Sequence, residues 1–173
     1  MKPGEKGYTL LELLVAISIM AVASVAASAG IFQVYRNTEC NSNHMAAILQ
    51  VQNAGYWISR DAQMAESVTT VNLTAPNFLV LSWTEDESSD NYTVIYSFGN
   101  MSGSGLKKLL RSQSINGTAS QTTFVAQYID SSSNNTSCNL TSGILSLRIT
   151  AAVGRGATME SETRTYRIVP RPD

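Results

Sequence analysis

The sequence predicts an α+β chain: one long N-terminal helix, apolar in its first half and amphipathic in its second, packed on an antiparallel β-sheet. Three observations carry this. Leu13 to Val34 run for 22 positions without a formal charge; Met45, Ile48, Val51, Gly55, Ile58, Ala62 and Ala65 recur at intervals of three and four; and beyond Ser67, short runs rich in Val, Ile, Thr and aromatic residues alternate with polar turns. The expected organisation is a leader over 1–7, an apolar helix over 8–35, an amphipathic helix over 36–67 and a β-rich body over 68–173.

The apolar run is long enough to cross a hydrocarbon core of about 30 Å at about 1.5 Å per residue. Before it, Lys2, Lys6 and the amino terminus outweigh Glu5, so the leader is expected on the cytoplasmic side and the body outside. Glu12 breaks the run near its start. A carboxylate inside a membrane helix costs roughly 2.5 to 3.5 kcal/mol at the bilayer centre, less near the interface, and calls for a partner of opposite sign. Ala16, Ala23, Ser24, Ala27, Ser28 and Gly30 supply small residues that let helices approach closely or simply favour helix.

The segment Lys6-Gly-Tyr-Thr-Leu-Leu-Glu-Leu-Leu-Val15 resembles the class III signal of type IV pilins, type II secretion pseudopilins and competence pseudopilins. The resemblance implies a pilin-like fold and a single-pass protein of the cytoplasmic membrane that passes into a cell-surface or envelope filament. A prepilin peptidase would cut between Gly7 and Tyr8 and methylate the new amino terminus at Tyr8, where the family usually has Phe. Glu12 then corresponds to the family's glutamate five places into the processed chain, which meets the amino terminus of a neighbouring subunit. The implied partners are the peptidase, other pilin or pseudopilin subunits, an inner-membrane assembly platform and membrane lipid, with no cofactor and no catalytic residue. Family members often carry a proline midway along this helix; here none lies between Pro3 and Pro76, leaving Gly30 as the expected soft point. Arg60-Asp61, Trp83-Thr84 and Thr165-Tyr-Arg-Ile168 resemble the minor, low-abundance subunits, more loosely. Pilus, secretion and competence systems all remain open.

A competing class is a Sec-exported β-rich binding protein, with Lys2 and Lys6 as the basic region of a signal peptide and Ala27-Ser-Ala29 as its cleavage site. Against it, the apolar stretch exceeds the usual 7 to 15 residues, Glu12 lies inside it, and apolar character continues through Ile31, Phe32 and Val34.

In the amphipathic half, Gln50, Gln52, Arg60, Asp61, Gln63 and Glu66 fall largely off the apolar stripe, and Asn41-Ser-Asn43 is a candidate interruption. Strands are expected over 68–73, 78–84, 92–98, 106–111, 123–129, 143–153 and 160–169. In Leu145, Leu147, Ile149, Ala151 and Val153 the apolar residues take alternate positions, so that strand should have one buried face to receive the helix. Residues 85–91, 100–105 and 131–142 read as polar loops.

Only 14% of residues are charged, against about 25% in typical soluble domains, and Ser, Thr and Asn fill the difference. The net charge is −1, and Lys107, Lys108 and Arg111 form the one basic cluster, too little for nucleic-acid binding by the body. Cys40 and Cys138 are 98 positions apart, which excludes CxxC spacing and leaves either a candidate disulfide or two free thiols. His44 stands alone, and no nucleophile motif accompanies it. Glu85, Asp86, Glu87 and Asp90 lack EF-hand spacing and read as a solvated hairpin tip rather than a calcium loop. The glycines from Gly99 to Gly105 lack the Lys-Ser/Thr of a phosphate loop, and sequons such as Asn72-Leu-Thr and Asn116-Gly-Thr are expected by chance in such a composition.

Overall fold

The computed structural model describes residues 8–71 and 74–171. It contains one helix, α1 (Leu10–Met64), followed by an antiparallel sheet. The chain divides into two compact units, 1–41 and 42–173. The helical assignment passes through Gly30 and through Asn41-Ser-Asn43, so neither the expected soft point nor the candidate interruption breaks it. Gly30 is exposed, whereas Asn43 is part-buried with its Nδ2 donating to the Thr158 carbonyl at 2.8 Å; a poor helix former at either place costs about 1 kcal/mol or less, which the surrounding long helix offsets.

In the first unit the apolar segment from Leu10 to Tyr35 is exposed along its length, and its helix is long and apolar enough to cross a membrane. Its hydroxyls fit that setting. Ser18, Ser24 and Ser28 donate to the carbonyls of Leu14, Met20 and Ser24 at 2.7 to 2.8 Å, so each donor is satisfied within the helix.

The sheet of the second unit comprises β1 (Ser67–Thr69), β2 (Asn77–Thr84), β3 (Asn91–Asn100), β4 (Lys107–Ile115), β5 (Thr118–Ile129), β6 (Ser137–Thr141), β7 (Ile144–Val153) and β8 (Glu160–Ile168). The order runs β1-β2-β3-β4-β5-β7-β6, and β8 pairs with β7. β5 pairs with β7 at a single register position, Ile129 opposite Ala151. A bulge produces this handover: the β4–β5 register shifts between Lys107 and Leu109, and Tyr128 adopts φ of 60°. Two N–H groups of the bulge find other acceptors. Gln127 donates to Gln50 Oε1 at 2.8 Å and Tyr128 to Met101 Sδ at 3.3 Å.

Two tight turns rest on left-handed residue pairs, Asn116-Gly117 between β4 and β5 and Ser142-Gly143 between β6 and β7. The second corrects the sequence reading. Ser131 to Ser142 is not one long loop, because residues 137–141 pair with 144–148 as β6. With Cys138 and Leu140 as its only apolar side chains, β6 lacks the pattern of a half-buried strand. β4 and β5 also run further than expected, to meet at Asn116-Gly117.

The core lies between the segment from Ala47 to Ala65, in α1 but for its last residue, and one face of the sheet. Ala47, Val51, Ala54, Ile58, Ala62 and Ala65 are fully buried against Leu79, Leu81, Val94, Leu109, Leu145, Leu147 and Ile149. In β7, Leu145, Leu147 and Ile149 face inward at alternate positions, as expected, and burial then continues unbroken to Val153. Met45, assigned to the stripe from spacing, is exposed instead, and Ala47 and Ala54 take its share of the core. Small residues let the helix come close. Tyr166 of β8 lies over Gly55, and its hydroxyl donates to the Val51 carbonyl at 3.0 Å.

A Cβ on Gly55 would fall inside the Tyr166 ring. Gly55→Ala, which in an exposed helix would stabilise by about 1 kcal/mol, should instead destabilise the body by about 1 to 3 kcal/mol. Chemical denaturation checks this, with Gly55→Ala/Tyr166→Ala as the control that relieves the clash. An unchanged or raised midpoint for the single variant would refute the close packing.

Candidate functional site

Two places concentrate chemistry: the start of α1 and a charge centre inside the body. At the first, Gly7 lies outside the described residues, as do Lys2 and Lys6, while Tyr8 is exposed just ahead of the helix. Thr9 caps α1. The Glu12 N–H donates to Thr9 Oγ1 at 3.3 Å, and the Thr9 N–H donates to Glu12 Oε2 at a long 3.5 Å. This reciprocal pair is a capping box, Thr-x-x-Glu ahead of an apolar run. That local role for Glu12 is readable in the sequence. The carboxylate remains exposed, held by one weak bond beside the positive end of the helix dipole.

The second place was missed. Asp61, assigned to the polar side of the helix, is completely buried. Its Oδ2 accepts from Tyr96 Oη at 2.6 Å and Arg111 Nε at 2.5 Å; its Oδ1 accepts from Arg111 Nη2 at 3.2 Å and Arg60 Nη2 at 3.3 Å. Tyr96 and Arg111 are direct cross-strand partners on β3 and β4. Arg111 therefore points inward, away from the surface cluster in which it stood with Lys107 and Lys108, and a further bond from Nη1 to Gln113 occupies it. Trp57 completes the centre, with the guanidiniums of Arg60 and Arg111 at 4.3 and 5.5 Å from its ring. Two signals were available. Arg111 follows Leu109 by two on a strand, and Asp61 follows Ile58 by three on the helix.

The electrostatics follow from this geometry. Burial, then the Asp61 charge, raises the Tyr96 phenol well above its ordinary value, so it stays a donor. The Arg111 guanidinium is held charged: burial opposes this, but the hydrogen bond and charge of Asp61 outweigh it. No buried polar side-chain atom among the described residues lacks a partner, so the polar groups of the centre are already engaged with one another. Its chemistry is structural.

The other candidates disperse. Both cysteines are free thiols; burial pushes the Cys138 thiol up to about 12, which suppresses the thiolate needed for exchange. His44 is exposed. At the hairpin tip, Glu85 accepts from Ser88 and Tyr92, and Asp86 pairs with Arg171 at 3.2 Å. Asp130 organises the bend after β5, accepting from the Ser132 N–H and Asn135 Nδ2; the Ser132 backbone bond, above all, holds its carboxyl below the usual range.

Residues 2–28 match the family described as the prokaryotic N-terminal methylation motif. The chain is also similar to Type II secretion system protein J of Vibrio cholerae serotype O1, 34% identical over 92 residues, which make up 52% of this chain and 42% of that protein. It thus spans less than half the length of this curated relative. No solved structure matches.

Removing one partner of the buried centre strands the other's charge. Asp61→Ala or Arg111→Met should each cost the body about 3 to 5 kcal/mol, whereas Asp61→Leu/Tyr96→Phe/Arg111→Met should recover much of the loss, measured by denaturant unfolding. The pH response has a defined sign. Because Tyr96 has a raised folded-state pKa, its contribution is complete below the unfolded value of about 10 and is lost as pH rises beyond it. The wild type should therefore lose more stability between pH 9 and 11 than Tyr96→Phe; parallel curves would contradict the assignment.

Proposed function

We propose that this chain is a prepilin-like filament subunit with no enzymatic activity, inserted through α1 with its leader inside and its body outside. It is cut between Gly7 and Tyr8, methylated at Tyr8 and assembled through its apolar helix. The methylation-motif match over residues 2–28, on a helix whose apolar segment is left exposed among the described residues, carries the reading. Similarity to Type II secretion system protein J favours a secretion pseudopilus over a pilus. Its partners are a prepilin peptidase, other subunits of the filament, an inner-membrane assembly platform and the surrounding lipid.

Chemistry supports the residues given to processing. Cleavage after Gly7 turns an amide nitrogen into an ammonium four positions ahead of Glu12. In low dielectric an unpaired ammonium and an unpaired carboxylate are each expensive, so pairing between neighbouring subunits rewards one axial step and penalises the others. Within one chain, the weak return bond from Thr9 leaves the Glu12 carboxylate available for such an exchange. Cys40 and Cys138 remain a candidate bridge for an oxidising envelope, one that would have to form from the two free thiols.

Mass spectrometry of the mature N-terminal peptide should find methyl-Tyr8; a chain starting at Gly30 would instead make this a secreted binding protein. Glu12→Val should insert and be processed normally yet enter filaments poorly beside wild-type subunits. Thr9→Ala, which removes the cap at a cost of about 1 kcal/mol but keeps the carboxylate, should still be incorporated. If both variants fail equally, helix capping accounts for Glu12 and the intersubunit pair is rejected.

A further inference from the structure

The turn between β4 and β5 holds a reactive pair. Asn116-Gly117 is the one Asn-Gly sequence in the chain, and both residues are left-handed, at φ of 51° and 78°. The Asn116 side chain reaches across to the loop between β2 and β3. Its Oδ1 accepts from the Asn91 N–H at 2.9 Å, and its Nδ2 donates to Asp90 Oδ1 at 2.7 Å. The Asn116 N–H also donates to the Asn91 carbonyl at 2.9 Å. One residue thus latches the β4–β5 turn to the entry of β3.

The latch also sets up a ring closure. The nucleophile is the backbone nitrogen of Gly117, an exposed residue with open space where a Cβ would stand, so no side chain screens it. The electrophile is Asn116 Cγ, joined to that nitrogen through the chain, so proximity replaces a bimolecular encounter. The Asn91 N–H already rests on Oδ1, where it polarises the carbonyl and stays in place as negative charge gathers on that oxygen.

We propose that Asn116 is a self-modification site, converted through a cyclic imide with Gly117 to aspartate or isoaspartate, and that the conversion releases the latch. In the first step the bond from the Gly117 nitrogen to Asn116 Cγ forms and the bond from Cγ to Nδ2 breaks. The Gly117 proton and the side-chain NH2 group leave together as ammonia. Water then adds across one of the two imide C–N bonds, giving aspartate or isoaspartate, and no oxidant or cofactor takes part. Aspartate at 116 places a carboxylate oxygen where Nδ2 donated to Asp90, so an attraction across 2.7 Å becomes a repulsion between like charges. Isoaspartate adds a methylene to the backbone of the turn, and Ile115 no longer stands opposite Thr118. Either product frees residues 85–91 from the β4–β5 turn, while the core around Asp61 is untouched. The site is independent of how the chain is processed or assembled.

The test follows the full chain, folded in detergent micelles at mildly alkaline pH, with the chain unfolded in urea as reference. Peptide mapping should find the amide-to-acid mass change at Asn116 in the folded chain, at no less than about one tenth of the unfolded rate. Isoaspartate should be among the products, and hydroxylamine, which cleaves the imide, should cut the chain between Asn116 and Gly117. Asn116→Gln, whose ring would be one atom larger, should stay intact. Asn116→Asp should speed amide-hydrogen exchange at positions 91 and 116 by at least about tenfold and leave positions 96 and 111 unchanged. Asn116→Asp/Asp90→Asn should restore the slow exchange. An Asn116 amide that survives in the folded chain after the unfolded reference has converted overturns the site. Exchange in Asn116→Asp that matches the wild type overturns the release.

Discussion

The body depends on one buried carboxylate. Asp61 sits in the middle of the apolar stripe, where an unpaired charge could not be tolerated, and it is matched by groups from adjacent strands, Tyr96 on β3 and Arg111 on β4. Apolar contacts between a helix and a sheet are forgiving, because alanines slide over leucines at little cost. A carboxylate that must meet a phenol and a guanidinium at hydrogen-bond distance is not. The centre therefore sets the axial position and rotation of the helix on the sheet, and the packing of Tyr166 over Gly55 operates within that setting.

The same helix carries a second carboxylate with the opposite arrangement. Glu12 has only its own capping threonine, through bonds of 3.3 and 3.5 Å, and it lies on a segment whose apolar side chains find no cover in the chain. Asp61 is satisfied within one subunit and cannot take part in exchange without unfolding the body. Glu12 is satisfied locally and weakly, so a better partner can replace the present one at small cost. One helix thus carries one carboxylate fixed by the fold and another that its own chain holds only weakly.

What could be read in advance follows from where physical signals are local. The span from Leu13 to Val34 and the alternation of β7 are properties of contiguous residues, and both were legible. The charge centre was not, since Asp61, Tyr96 and Arg111 are 35 and 50 positions apart and each taken alone reads as a surface residue. Position relative to apolar neighbours at i+2 on a strand or i+3 on a helix would have placed them inward, against the usual rule that charges face water. β6 was hidden for a different reason. Its pairing is supplied by the Ser142-Gly143 turn and by β7, and its own residues, Ser, Cys, Asn, Leu and Thr, carry almost no pattern.

Low charge density links these features. With 14% charged residues, and with Asp61, Arg60, Arg111, Glu66, Asp86 and Arg171 engaged in internal pairs, the body has little long-range field with which to steer a partner. Recognition at its surface must then come from shape and short-range contact, which are slow to find and weak when small. On the assembly reading proposed above, anchoring through a common apolar helix would remove the search, because neighbouring bodies would be held at high local concentration. A surface of Ser, Thr and Asn gives such bodies little charge or apolar area with which to associate indiscriminately. On that reading the apolar segment would supply concentration and Glu12 register, and the body could remain nearly neutral toward everything but a neighbour held beside it.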